Sequence, residues 1–203
     1  MGMDVYGKNP KQNKPMKEFP ILAKYKKMEA EDEKNGFQRK WKELDADKKL
    51  MEQYWEEEDE YNKANPGYYF RNNVWWWRPL WNYCYQVADD IIDEHTYESG
   101  HSNSGAGLDA DGAKALGNRL MQLIADCSVI KYEATYIQQL DDLPDESCVR
   151  CNNNNRGDNK KKDCTNCNQT GLKPNINKSY PFDSRNVEEF AHFCLQSGGF
   201  EIC

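Results

Sequence analysis

Cys148, Cys151, Cys164 and Cys167 spell C-x2-C, a loop of twelve residues, then C-x2-C. Two paired thiolate turns supply the tetrahedral shell of a four-cysteine zinc site, and each short turn lets backbone N–H groups point at the bound sulfurs. A shell of four cysteines is closed. It leaves no coordination position for a substrate, so the Zn2+ it predicts is structural. The intervening run, 152–163, reads NNNNRGDNKKKD and holds nothing apolar, which predicts a solvated, mildly basic loop. Metal binding contributes about 10–16 kcal/mol to small zinc modules, so losing the metal is expected to unfold at least this segment.

A second group of residues is unusual by composition. Gly67 to Cys84 reads GYYFRNNVWWWRPLWNYC and places four of the six tryptophans within seven residues. Read as an extended strand, it gives Trp75 and Trp77 one face and Trp76 the other, with Arg71 and Arg78 able to stack on the rings. One reading is a core strand followed by a helix start. The other is an aromatic pocket for a planar ligand such as a nucleotide, lined by Arg71, Asn72, Asn73, Trp75, Trp77 and Arg78. Glu98 to Asp111, ESGHSNSGAGLDAD, is a Gly/Ser-rich loop feeding a helix. It can be read as an anion site, but Asp109 and Asp111 stand where a phosphate would sit, so an N-cap is the simpler role. Asp89, Asp90, Asp93, Glu94, His95 and His101 are acid, base or metal-ligand types without an HExxH-like spacing.

These groups need elements to hold them, and periodicity supplies the outline. Residues 11–66 are dense in Lys and Glu at helical spacing: Ile21, Leu22, Tyr25 and Met28 form one stripe, and Phe37, Trp41, Leu44, Met51 and Trp55 another. Asn35-Gly36 breaks them, which predicts a charged helical hairpin whose stripes pack on each other or on the core. Extended segments are expected at Met3 to Tyr6, around Tyr68 to Trp77, near Tyr180 to Phe182 and at Phe200 to Ile202. One helix is expected from Pro79, with Leu80, Cys84, Val87, Ala88, Ile91 and Ile92 inward. A second follows an Asp109 or Asp111 cap, carries Leu116, Leu120, Leu123, Ile124 and Cys127, and continues or resumes through Tyr132, Tyr136 and Leu140 until Pro144. The last runs from about Ser184 to Gln196, with Val187, Phe190, Ala191 and Cys194 inward. Cys84, Cys127 and Cys194 are read as core thiols and Cys203 as a terminal one.

The chain is therefore expected to be a helix-rich α+β protein with few short strands. Residues 1–10 and 67–145 form the core, 11–66 a helical-hairpin insertion, 146–174 the zinc module, and 175–203 a helix and strand completing the core. At 203 residues a real core is possible without help from zinc. A net charge of -7 argues against a general nucleic-acid binder. Arg150, Arg156, Lys160 to Lys162 and Lys173 still leave a local basic patch as an alternative. No run is apolar enough for a membrane span and no signal-peptide core opens the chain, which points to the cytoplasm.

Two resemblances add to this. The second knuckle, Cys164-Thr165-Asn166-Cys167-Asn168-Gln169-Thr170-Gly171, is similar to the C-x-x-C-x-G-x-G turns of DnaJ-like zinc modules, with Gly171 matching the second glycine and Gln169 standing in place of the first. Asparagine replaces glycine well at positive φ and glutamine does not. The segments Met3 to Gly7 (MDVYG), Tyr69 to Trp81 (YFRNNVWWWRPLW) and Phe190 to Cys203 (FAHFCLQSGGFEIC) resemble an uncharacterised family of small proteins of bacteria and phages. That resemblance carries over no catalytic residues and implies a bacterial or phage setting, the host cytoplasm in the latter case. The expected function is a zinc-stabilised binding protein, its partner a host or phage protein or a small molecule. The rivals are an enzyme on a nucleotide-like substrate and nucleic-acid binding through the basic zinc loop.

Overall fold

In the computed structural model, residues 2–15, 48–152 and 164–203 are described, together with Lys27, Ala30, Glu31, Lys34 and Gly36. The strand Gly2–Gly7 (β1) buries Met3 and Val5 and turns Asp4 and Tyr6 outward, the alternation a one-sided strand requires. Both neighbours of β1 come from far along the chain. Tyr69–Asn73 (β2) pairs antiparallel on one side, Val5 opposite Phe70, and Phe200–Ile202 (β6) pairs on the other, Val5 opposite Ile202. Ala106–Leu108 (β3) joins the far edge of β6, so the sheet order is β2-β1-β6-β3.

Between β1 and β2 lies the charged segment 11–66, of which the helix Lys48–Ala64 (α1) is described. Its base is tied by Asn65, a buried polar residue whose Oδ1 accepts from the N–H groups of Asn13 and Lys14 at 2.7 and 2.9 Å. The stripe residues Ile21, Leu22, Tyr25, Met28, Phe37, Trp41 and Leu44 lie outside the described residues. Trp55 is 53% exposed, not packed as its stripe predicts.

The tryptophan segment is helical. The helix Val74–Val87 (α2) starts directly after β2, because the Asn73 side chain accepts from the N–H groups of Trp75 (3.0 Å) and Trp76 (3.2 Å). The sequence expectation of a strand through Trp77 and a helix from Pro79 is thus corrected by one N-cap: Pro79 lies inside α2, buried. Helical spacing puts Trp77 and Trp81, four apart, on one face, and they stack at 5.4 Å with planes 13° apart.

Glu94–Ser99 (α3) and β3 lead into Ala110–Ala125 (α4), whose N-cap is Asp109, accepting from the Gly112 N–H at 2.8 Å. Ser128–Asp141 (α5) resumes after Cys127, which adopts φ 63 between the two helices. Cys127 is exposed at this bend, contrary to its expected core position. The final helix Ser184–Ser197 (α7) packs closely on α4, buries Val187, Phe190, Ala191 and Cys194, and ends at Gly198 in the left-handed conformation. The expected strand near Tyr180 to Phe182 is absent: a 3-10 turn at Ile176–Ser179 is followed by irregular chain that buries Phe182 against Tyr83 and Tyr132.

The sheet's inner face, Met3, Val5, Phe70, Leu108, Phe200 and Ile202, meets Trp77, Trp81, Phe190 and Phe193 in one aromatic core. The expected mixture of helices with a few short strands holds. No helix among the described residues is long and apolar enough to cross a membrane.

Burial pushes the Cys84 and Cys194 thiols far above the ordinary thiol range, since a thiolate there would lose its hydration. Cys127 and Cys203 are exposed. An aromatic disulfide reagent at pH 8 is therefore expected to label Cys127 and Cys203 in the native protein, and Cys84 and Cys194 only after denaturation. Native-state labelling of Cys84 would contradict this packing.

Candidate metal centre

A short ribbon, Glu146–Ser147 (β4) paired with Leu172–Lys173 (β5), forms the neck of the cysteine segment. It continues inward through the Cys148 N–H, which donates to Gly171 O at 2.8 Å. Cys148 then begins the single helical turn Val149–Asn152 (α6), which contains Cys151. The second knuckle folds on itself: the Gln169 N–H donates to Cys164 O (3.2 Å) and the Thr170 N–H to Cys167 O (3.0 Å). The Thr170 hydroxyl donates to Cys167 O at 2.7 Å and accepts from the Leu172 N–H at 3.2 Å.

Ribbon and knuckle together bring the buried Cys148, Cys164 and Cys167 into one cluster, with their sulfurs all within 4.8 Å of one another. The Cys148 and Cys164 sulfurs are 3.9 Å apart. Two sulfurs at about 2.3 Å from one tetrahedral zinc stand about 3.8 Å apart, whereas a disulfide holds them at about 2.05 Å. The spacing therefore fits a shared metal ion. Two N–H groups already face this cluster: the Gly171 N–H donates to Cys167 Sγ at 3.3 Å and Asn166 Nδ2 to Cys148 Sγ at 3.5 Å. N–H groups directed at sulfur are the usual outer partners of metal-ligating cysteines. Cys151, the fourth expected ligand, has its backbone in α6, and its side chain lies outside the described ones, as does the loop 153–163.

The knuckle departs from glycine where the sequence does. Asn168, Gln169 and Gly171 all have positive φ, at 47, 70 and 78°. Glutamine in this region costs about 1–2 kcal/mol, partly offset in a glycine variant by the greater freedom of its unfolded chain. Gln169→Gly is expected to stabilise the metal-bound segment by about 0.5–1 kcal/mol, read as a slower loss of metal to a competing chelator. A faster loss would show that the Gln169 side chain contributes to the knuckle.

The tryptophan segment is arranged differently from a single pocket. Trp77 is buried with its indole N–H donating to Gly100 O at 2.8 Å, and Trp81 donates to Tyr97 O at 3.0 Å. Trp75 packs on Tyr180 at 4.7 Å, and Arg78 donates to the Tyr180 hydroxyl at 2.8 Å while lying over its ring. Arg71 faces Asp4 at 3.4 Å, and Asn73 caps α2. Asn72 donates to Asn186 Oδ1 at 2.8 Å and borders a shallow cleft of about 330 Å3, with Trp76, Asp183, Arg185, Asn186 and Glu189 around it. The meeting of Trp76 with the α7 residues has no signal in the sequence; only the helical start of α2 and its position beside α7 bring them together.

The acid and base residues before α4 are dispersed. Asp90 pairs with Arg119 at the start of the loop after α2, which lowers its carboxyl, and Asp93 caps α3. His101 packs edge-on to Tyr97, its Nδ1 buried without a partner, and burial lowers its pKa. Compared with protein-family models, with curated proteins and with solved structures, the chain matches none.

Proposed function

We propose that this chain is a zinc-stabilised binding protein, acting by protein interaction in the cytoplasm of a bacterium or of a phage-infected cell. The observation that carries the zinc is the sulfur geometry: three buried cysteines within 4.8 Å, two of them separated by 3.9 Å, which is close to the edge of a tetrahedral thiolate shell. Cys151, one turn from Cys148 in sequence, is the fourth ligand in this reading, and the closed shell makes the metal structural. Its chemistry when bound is to neutralise and hold the thiolates. The chain's own share is to preset the knuckle through the Cys148, Gln169 and Thr170 backbone bonds and to donate N–H groups to sulfur.

What favours a binding role is the surface this segment carries. Val149 and Leu172, and Ile176 in the 3-10 turn that follows the segment, are among the most exposed large apolar side chains described, at 62, 50 and 49%. Apolar groups held outward on a segment with little core of its own are better suited to a protein partner than to phosphate. Native mass spectrometry of freshly purified, reduced protein, set beside its denatured mass, tests the reading. One zinc per chain and no other mass is expected; a retained small molecule would favour a ligand-binding site instead. Absence of zinc would remove the proposal.

A further inference from the structure

We propose that the free edge of β2 and the cleft beside it form a docking site for an extended peptide carrying a basic side chain. This goes beyond the interaction surface read above, using residues of β2, α2 and α7 instead of the cysteine segment, and is independent of the metal. In an antiparallel pair, residues alternately bond to the neighbouring strand and turn their N–H and C=O away from it. The Gly7 N–H donates to Tyr68 O, while Asp4 exchanges both backbone bonds with Cys203 on the opposite side of β1. The odd-numbered residues of β1 therefore face β2, so Phe70 and Asn72 are the bonded residues of β2. Tyr69 and Arg71 turn their backbone groups outward from the edge of the sheet. Among the described residues nothing takes these groups. A strand of five residues with open polar groups is a template for strand addition.

The cleft gives this edge a side-chain preference. Asn72 belongs to β2, so the cleft opens on the strand itself, and Trp76 of α2 and Asn186 and Glu189 of α7 also line it. Side chains of an added strand alternate between the two faces, and those pointing toward the helices enter here. Of the charged groups around the cleft, Arg185 is engaged by Asp183, with Nη2 to Oδ2 at 2.7 Å and Nε to both oxygens at 3.3 Å. Glu189, four residues further along α7, makes no ion pair within 4.0 Å among the described residues, although its charge also acts on Arg185. A cleft lined by both an indole and a carboxylate suits a side chain with an apolar stem and a cationic tip, which is a lysine or an arginine.

The test uses the full chain, zinc-loaded, and the blocked pentapeptide Thr-Val-Lys-Val-Thr, with Glu in place of Lys and with alternate N-methylation as controls. Amide exchange at Tyr69 and Arg71 is expected to be fast in the free chain and to slow on adding the lysine peptide. The glutamate peptide is expected to bind about tenfold more weakly, and Glu189→Gln to abolish that difference. Equal binding of the N-methylated peptide, or unprotected Tyr69 and Arg71 amides at saturating lysine peptide, would overturn the proposal. So would protection of those amides in the free chain, which would assign the edge to another occupant such as a second copy. A chain that holds zinc yet takes no peptide fails this proposal alone, and a chain that takes the peptide without zinc fails only the metal reading.

Discussion

Cys164→Ser is expected to strip the metal and unfold residues 146–173 while leaving the rest of the protein folded. Zinc contributes about 10–16 kcal/mol to small modules, and little else holds this segment: β4 and β5 are two residues each, and the only buried cluster described there is the cysteines themselves. The main core is separate, built from Trp77, Trp81, Phe190, Phe200 and their neighbours without any of the three cysteines. Contacts across the junction, such as the Tyr136 hydroxyl donating to Tyr180 O at 2.9 Å, lie beyond the ribbon on the core side. Hydrogen exchange read by mass spectrometry should show loss of protection at 146–152 and 164–173, with α2, α4 and α7 unchanged. A chelator added to the unmodified protein should reproduce the pattern. Unchanged protection in both cases would mean that the cysteines fold without metal.

The second large effect belongs to Trp77→Ala, expected to cost about 3–5 kcal/mol, the range for removing a buried aromatic side chain. Trp77 is fully buried, stacks on Trp81, meets Phe190 edge-on, and satisfies Gly100 O with its indole N–H. The loss corresponds to a fall of about 6–20 °C in Tm for a chain of this size. Trp75→Ala is the control. It is 39% exposed and gives up chiefly one tilted contact with Tyr180, so about 0.5–1.5 kcal/mol is expected. Gly100 makes the same point from the opposite side: a Cβ there would lie 2.4 Å from Trp81 Nε1, so Gly100→Ala should also unfold the protein readily. Comparable losses for Trp75 and Trp77 would contradict the helical placement of this segment.

Local signals determined a good part of this molecule. Asp109 before an apolar repeat, Gly198-Gly199 after one, and the apolar spacing of Leu116, Leu120, Val187, Phe190 and Cys194 each act over a few residues. The helices α4 and α7 follow from them. The cysteine spacing likewise specifies which residues can share a metal, because a knuckle closes within one turn. Tertiary structure decided what depends on distant partners. Tryptophan favours strands by composition, yet Asn73 caps a helix and the core takes Trp77 and Trp81 from its face. The short AGL segment of β3 becomes a strand only because Phe200–Ile202 offers an edge, and β6 in turn exists because β1 pairs with it from the other end of the chain. Cys127 leaves the core because the chain bends there, and Gln169 tolerates a positive φ because the knuckle's own hydrogen bonds hold it. Caps and periodicity are written in neighbouring residues, whereas strand pairing and the Asn72–Asn186 contact that shapes the cleft arise only when distant segments have already been brought together by burial of the shared core.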